Sequence, residues 1–279
     1  MKCAWNEFLS VLPPRFRAEV DNLGKEYLEE LHLRLERPVE LIIKGCSVLL
    51  RTMATEQDIQ YVINTASRYS PWAASTASRG YITAPGGHRI GICGECVVQA
   101  GAVTGVRTAT SLCMRVARSF PGIADHAPRT GCLLILGPPG VGKTTLLREL
   151  VRLRSNGGTA VTVVDERGEL FPCGNVFPAG ARTDVLTGCS KAQGVQMALR
   201  TMSPKCIAVD EITAAEDCQA LMSAAWCGVD LLATAHATDC KDLSNRRIYR
   251  PLAESGLFEQ AIILSGDKSW HLERMKLCT

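Results

Sequence analysis

A run of nine residues from Gly137 to Thr145 has the composition of a phosphate-binding loop. It matches the pattern G-x-x-x-x-G-K-[ST], follows the apolar run 133–136 and precedes a helix-like sequence that begins at Leu146. In this context glycines allow backbone N–H groups to converge on a phosphate, and the helix N-terminus adds a favourable dipole. The predicted phosphate-binding residues are Gly137, Pro138, Pro139, Gly140, Val141, Gly142, Lys143, Thr144 and Thr145.

Two side chains of this loop have specific expected roles. We expect Lys143 to face solvent as a point charge that reaches the β- and γ-phosphates, and Thr144 to offer its hydroxyl to Mg²⁺. The sequence N-K-x-D, which reads guanine, is absent, and this favours ATP over GTP. The predicted ligands are therefore ATP and Mg²⁺.

Two acidic residues follow a second apolar run, 206–209. The carboxyl ends of parallel strands face the ligand crevice, so Asp210 and Glu211 are expected beside the loop. Asp210 is predicted to belong to the Mg²⁺ shell, and Glu211 to orient or polarise the attacking water. A kinase would need an acceptor pocket and a catalytic base of its own, for which the sequence offers no candidate. The pair of acids therefore favours hydrolysis.

Two further apolar runs end in candidate catalytic side chains. Glu166 follows the run 160–164. It could share in water activation or form a structural ion pair with Arg167. His236 follows the run 231–235 and is placed to sense the γ-phosphate, although a lone histidine is more often structural.

The four apolar runs alternate with stretches long enough for crossover helices. This pattern predicts a parallel sheet covered by helices, and thus an α/β domain over residues 131–279. Residues 1–120 read as a smaller α+β domain, and 121–130 as a linker. Within the α+β domain the spacing predicts helices and strands: helices over 5–11, 15–30 and 55–70, the last capped by Thr55, and strands within 31–43 and 81–116.

The composition is that of an ordinary soluble globular protein. The 279 residues are 46% hydrophobic and 21% charged, with a formal net charge of +3. No apolar run approaches the roughly 18 residues of a membrane span, and the N-terminus offers no signal-peptide core, so we expect a cytoplasmic protein with no direct membrane insertion. The 13 cysteines are then expected to be mostly reduced, buried thiols. Cys93 and Cys96 form the one CxxC pair and lack the second pair of a zinc site.

Several blocks of the sequence together resemble the stage III sporulation protein AA family. Besides the loop, these blocks are residues 87–94, 111–118, 164–167, 182–189, 199–204 and 209–212. That family is similar to the secretion and pilus motor ATPases. The resemblance implies a RecA-like P-loop NTPase core and an ATP-hydrolysing motor, assembled as a homo-hexamer in the mother-cell cytoplasm. It also implies docking on membrane-embedded sporulation complex proteins at the forespore boundary.

The resemblance also gives a role to two arginines of the N-terminal domain. In the secretion motors, arginines from matching strands reach the nucleotide at a subunit boundary, which implies catalytic roles for Arg89 and Arg115. The alternative is that they are solvated strand residues or partners of Glu95.

Two other functions use the same core. One is a nucleic-acid-dependent ATPase, and the other is a scaffold that binds ATP but hydrolyses it poorly. A nucleic-acid module would interleave Lys and Arg with aromatic residues, whereas aromatic residues make up only 5% of this chain. No nucleic-acid partner is expected.

Overall fold

The computed structural model describes residues 1–67, 80–172 and 177–275. The chain divides into two compact units, the first built on Met1–Arg118 and the second on Ser119–Phe171 and Phe177–Thr279. Within the described residues, no helix combines the length and the apolar character needed to cross a bilayer.

The first unit is an antiparallel sheet covered by helices on one face. The sheet has the strand order β3-β2-β1-β6-β5-β4. Its apolar face carries Leu31, Leu33 and Met114, which are fully buried together with Phe8 and Ile59 of the helices. The elements in chain order are α1 (Trp5–Val11), α2 (Pro14–Leu23), β1 (Leu28–Arg34), β2 (Pro38–Ile43), β3 (Cys46–Met53), α3 (Glu56–Ser67), β4 (Tyr81–Thr83), β5 (Arg89–Gln99) and β6 (Ala102–Arg115).

The predicted helix over 15–30 ends earlier, at Leu23. Gly24 stops it with a φ of +79°, a conformation that favours glycine, and the alternating burial of β1 already begins at Leu28. The third helix begins at Glu56, and the Asp58 backbone N–H donates to Thr55 Oγ1 at 3.3 Å, which confirms the expected cap. The last three residues of that predicted helix, 68–70, lie outside the described residues.

His88 is buried in the first unit as a neutral ring. Its Nδ1 accepts a hydrogen bond from the Ala117 backbone N–H at 3.1 Å, so its proton lies on Nε2, which donates to the Ala4 carbonyl at 2.8 Å. The ring also meets the Phe8 ring edge-on, with centroids 5.1 Å apart. Burial lowers the pKa of His88 to about 4, which means that the folded protein excludes its charged form.

We expect this histidine to destabilise the fold in acid. Its pKa is about 6.5 when unfolded, so the stabilisation is complete above that pH and is lost as the pH falls through the folded value of about 4. At about 1.4 kcal/mol per pKa unit, the full loss is about 3 kcal/mol. Urea unfolding of the wild type and of His88→Gln at neutral and acid pH measures it. The wild type should lose more free energy of unfolding than the variant, and an equal loss would assign the acid sensitivity to other groups.

The second unit is built on a mostly parallel sheet. Its strand order is β13-β12-β7-β11-β10-β8-β9, and every neighbouring pair is parallel except β12 with β13. The elements in chain order are β7 (Leu133–Leu136), α4 (Lys143–Asn156), β8 (Val161–Asp165), β9 (Thr183–Thr187), α5 (Lys191–Thr201), β10 (Cys206–Val209), α6 (Ala215–Trp226), β11 (Asp230–Ala235), α7 (Cys240–Asn245), α8 (Arg250–Glu254), β12 (Gln260–Leu264) and β13 (Trp270–Arg274).

The four predicted strands of this unit are confirmed to within one residue as β7, β8, β10 and β11. All residues of β7, β8 and β10 are buried, as expected for central strands covered on both faces. Their carboxyl ends lie at one edge of the sheet, where the phosphate loop begins.

The segment expected to be a linker packs on this second unit. Ala124 is fully buried, and the Gly122 backbone N–H donates to Glu149 Oε1 of α4 at 2.7 Å. The Trp270 indole N–H donates to the Ile123 carbonyl at 3.0 Å. These contacts fix the position of the segment that leads into β7.

Candidate nucleotide-binding site

The predicted phosphate loop connects β7 to α4, and its glycines are required by its conformation. Gly140 and Gly142 have φ values of +79° and +109°, which side chains rarely adopt. A Cβ on Gly137 would lie 2.7 Å from the Leu264 carbonyl oxygen of β12. The helix then begins at Lys143, so the loop presents the amino end of a helix of 14 residues.

Lys143 does not face solvent, and this corrects the expectation from the sequence. Its side chain folds onto its own loop, and Nζ donates to the Gly137 carbonyl at 2.9 Å and the Pro138 carbonyl at 2.8 Å. The third partner is His236 Nδ1 at 3.0 Å. An ammonium group has three donors, and here all three find acceptors. Burial lowers the pKa of Lys143, an effect that the charges of Asp210 and Glu211 oppose.

Asp210 lies beside the loop, as predicted, and both of its oxygens accept hydroxyl hydrogen bonds. Thr144 Oγ1 donates to one oxygen at 2.6 Å, and Thr234 Oγ1 donates to the other at 2.6 Å. A hydroxyl and a carboxylate at this distance form the hard oxygen set that Mg²⁺ prefers. The residues therefore fit a nucleotide-bound Mg²⁺ at this position.

Thr234 is a site residue that the sequence argument missed. It is fully buried in β11, and its hydroxyl oxygen also accepts the Glu211 backbone N–H at 2.7 Å. Glu211 has a φ of +55°, and this hydrogen bond helps to hold its backbone there. The sequence signal that could have identified Thr234 is its hydroxyl, which stands alone within the otherwise apolar run 231–235.

Glu211 and His236 are brought together, as their placement at two strand ends implies. Glu211 Oε1 lies 2.8 Å from His236 Nε2, and Oε2 lies 3.5 Å from Arg167 Nη1. Because Lys143 donates to Nδ1 of His236, the imidazole proton lies on Nε2 and is donated to Glu211. Burial favours the neutral acid, but the His236 hydrogen bond and the Arg167 and Lys143 charges outweigh it and hold the pKa of Glu211 below its usual value. Glu211 is thus a carboxylate at neutral pH.

Glu166 lies in the same cleft as Asp210 and Glu211. Its partner is Lys191 of α5, with Nζ 2.6 Å from Oε2, and Lys191 also lies 3.7 Å from Asp217. Arg167, the partner considered from the sequence, contacts Glu211. The cation of the Glu166 ion pair is therefore Lys191.

The loop after β8 is anchored by Asp165, which the sequence argument did not select. Its carboxylate accepts the backbone N–H groups of Glu169, Leu170 and Phe171 at 2.8–2.9 Å. Burial raises its pKa to about 6. Arg148 of α4 donates to the Leu170 carbonyl at 2.6 Å. Asp165 and Arg148 together therefore fix the loop that carries Glu166 and Arg167.

Arg89 and Arg115 lie directly opposite each other on β5 and β6 of the first unit. The Arg89 guanidinium lies 4.4 Å from the centre of the Tyr81 ring, and Arg115 Nε lies 3.1 Å from Glu30 Oε1. Glu95 pairs with Arg107 at 3.5 Å. Both arginines belong to the first unit, whereas the loop contacts given above lie within the second.

The phosphate loop, the acidic strand end and the mostly parallel sheet define a RecA-like core of the kind found in secretion and pilus ATPases. The ATPase DotB of Legionella pneumophila is 17% identical with a TM-score of 0.58, over 98% of this chain and 80% of that chain. The pilus retraction motor PilT, solved with bound ADP, is 16% identical with a TM-score of 0.60, over 94% and 82% of the two chains. Likeness at this level of identity shows the fold.

The chain belongs to the sporulation stage III, protein AA family, whose model matches residues 6–271. Stage III sporulation protein AA of Bacillus subtilis (strain 168) is 37% identical over 281 residues. That alignment covers 94% of this chain and 92% of the relative. The family resemblance expected from the sequence blocks is confirmed.

Proposed function

We propose that this protein is an MgATP-hydrolysing motor of the secretion-ATPase type that serves sporulation. The observation that carries the proposal is the chain of contacts from Lys143 through His236 to Glu211 at the edge of the sheet. It puts an ionised carboxylate next to a phosphate-binding loop. The fold of DotB and PilT, both ATPases or motors by name, supports the same chemistry.

In this proposal each side chain has a separate task. The loop N–H groups and Lys143 bind the phosphates, while Thr144 and Asp210 would hold Mg²⁺, which when bound would supply positive charge to offset that of the phosphates. Glu211 orients the attacking water and accepts its proton. His236 keeps the Glu211 carboxylate in place through Nε2.

The cellular role is proposed from the family. We infer a homo-hexamer in the mother-cell cytoplasm, held at the membrane by embedded sporulation complex proteins. The name of the Bacillus subtilis relative supports a place in sporulation.

Phosphate release by the purified protein tests the activity. We expect hydrolysis that requires Mg²⁺, is unchanged by single-stranded DNA, and increases per protomer as the solution mass rises to that of an oligomer. No Mg²⁺-dependent hydrolysis at any oligomeric state would contradict the proposal. Strong stimulation by DNA would support a nucleic-acid-dependent ATPase instead.

Arg89→Ala and Arg115→Ala are each expected to leave ATP binding largely intact and to lower turnover steeply. An arginine that stabilises charge on the γ-phosphate is worth about 10³–10⁵ in rate in other nucleotide hydrolases. Nucleotide titration and phosphate release measure the two effects. Arg107→Ala is the matched control, because Arg107 is an exposed arginine of the same sheet that pairs with Glu95.

A mixing experiment shows whether these arginines act on a neighbouring subunit. Arg89→Ala has an intact loop and Lys143→Ala has intact arginines, so a mixed oligomer contains some complete sites and should recover part of the activity. No recovery, together with a rate per molecule that does not depend on assembly, would show that the site is not shared.

A further inference from the structure

Three side chains that can ligate a metal meet on the polar face of the first sheet. His32 on β1 lies directly opposite Cys113 on β6, and Glu30 lies two residues before His32 on the same face. All three are partly exposed, whereas Leu31, between Glu30 and His32, and Leu112, next to Cys113, are buried on the other face. In the described part of the chain this is the one group of three such residues whose ligand atoms all lie within 4.8 Å of one another.

The separations between these ligand atoms lie within a few tenths of an ångström of those in a tetrahedral metal site. Glu30 Oε2 lies 3.0 Å from His32 Nε2, and Cys113 Sγ lies 3.7 Å from Glu30 Oε2 and 3.9 Å from His32 Nε2. Usual zinc bond lengths place tetrahedral neighbours roughly 3.4–3.6 Å apart. Each side chain would therefore move by only a few tenths of an ångström to bind the ion.

We propose that Glu30, His32 and Cys113 bind a divalent transition metal of the zinc type. A thiolate, an imidazole and a carboxylate form a mixed donor set that suits zinc, whereas Mg²⁺ and Ca²⁺ prefer oxygen ligands alone. The ionised Cys113 and Glu30 together balance the two positive charges of the ion. The thiol proton is released to solvent when the metal binds.

The neighbouring arginines are compatible with this arrangement. Arg115 Nε lies 3.1 Å from Oε1 of Glu30, which orients the carboxylate and leaves Oε2 for the metal. Arg34 Nη2 lies 3.4 Å from His32 Nδ1, and Nη1 of the same guanidinium donates to Glu40 Oε2 at the shorter distance of 2.5 Å. Metal binding at Nε2 places the imidazole proton of His32 on Nδ1. Arg34 then loses its contact with His32 and keeps its hydrogen bond to Glu40.

The three ligands leave one tetrahedral position open. Gly91 of β5 lies opposite Cys113 in the sheet and has no side chain to cover it. A water or a ligand from another molecule can complete the coordination there, as at metal sites with three protein ligands.

Metal titration of the full-length, reduced protein tests the site. We expect one equivalent of Zn²⁺ to be withdrawn from a chromophoric chelator, and Co²⁺ to give the charge-transfer absorption of a thiolate ligand. Cys113→Ser and His32→Gln should each weaken Zn²⁺ binding at least about a hundredfold, because losing groups that merely orient metal ligands already costs about 10–100-fold. Circular dichroism checks that each variant is folded, and His32→Gln keeps the test decisive if Cys113→Ser does not fold.

Cys93→Ser is the matched control. Cys93 is an exposed thiol on β5, is opposite Ser111, and belongs to the CxxC pair with the exposed Cys96. The variant should keep both the affinity and the Co²⁺ absorption. The proposal is overturned if the wild type shows no thiolate absorption, if Cys113→Ser binds Zn²⁺ as the wild type does, or if Cys93→Ser removes the signal.

Discussion

Lys143→Ala is expected to abolish MgATP hydrolysis while the protein stays folded. In the proposed function this side chain is the loop cation that binds the phosphates, so its loss should remove both binding and charge stabilisation. Its partners in the structure are two loop carbonyls and His236, and none of these is part of an apolar core. Phosphate release, nucleotide binding and thermal unfolding measure the three parts of this expectation.

Lys205→Ala is the control for the removal of a lysine. Lys205 is exposed and precedes β10 at its amino end, away from the carboxyl edge that carries Asp210. The control should hydrolyse ATP at the wild-type rate. Wild-type turnover by Lys143→Ala would end the assignment of this loop as the phosphate site.

Glu211→Gln is expected to bind ATP and to hydrolyse it at least about a hundredfold more slowly, the scale of a lost general base. Glutamine has nearly the shape of glutamate, and its amide oxygen can still accept a hydrogen bond from His236 Nε2–H. The variant therefore removes the negative charge and leaves the positive-φ backbone and its Thr234 hydrogen bond in place. Single-turnover hydrolysis and a nucleotide binding assay separate the two effects.

Glu216→Gln is the corresponding control, because Glu216 is an exposed acid in the first turn of α6. Its turnover should equal that of the wild type. Near-normal turnover by Glu211→Gln would transfer water activation to Glu166. Loss of ATP binding would instead place Glu211 in the metal shell.

The sequence predicts those features that depend on neighbouring residues. The phosphate loop needs glycines at set positions before a helix, and the continuous apolar runs of β7, β8 and β10 are typical of central parallel strands. Because such strands end at one edge, the approach of Glu211 to His236 also follows from their places in the chain. Local pattern and sheet geometry together were enough for these contacts.

Other features depend on contacts between distant residues and were missed. The edge strands β9 and β13 are partly exposed, so they lack the apolar run that marks a central strand. The residues that Glu166 and Thr234 contact are determined by how α5 and β11 pack, and no local sequence pattern specifies this packing. Of the three acceptors of Lys143, His236 lies 93 residues away in the chain, and the other two are loop carbonyls whose direction depends on the fold of the loop.

The partners of Lys143 affect how firmly the loop can hold any phosphate. An incoming anion gains the ammonium group only by displacing two carbonyls and an imidazole nitrogen, so the net free energy is the difference between two sets of hydrogen bonds. When the anion leaves, the same three acceptors can bind the lysine again, which favours release of the anion. We therefore expect an anion to bind this loop less tightly than a loop whose lysine has no other partner, because the loop carbonyls and His236 compete for the ammonium group.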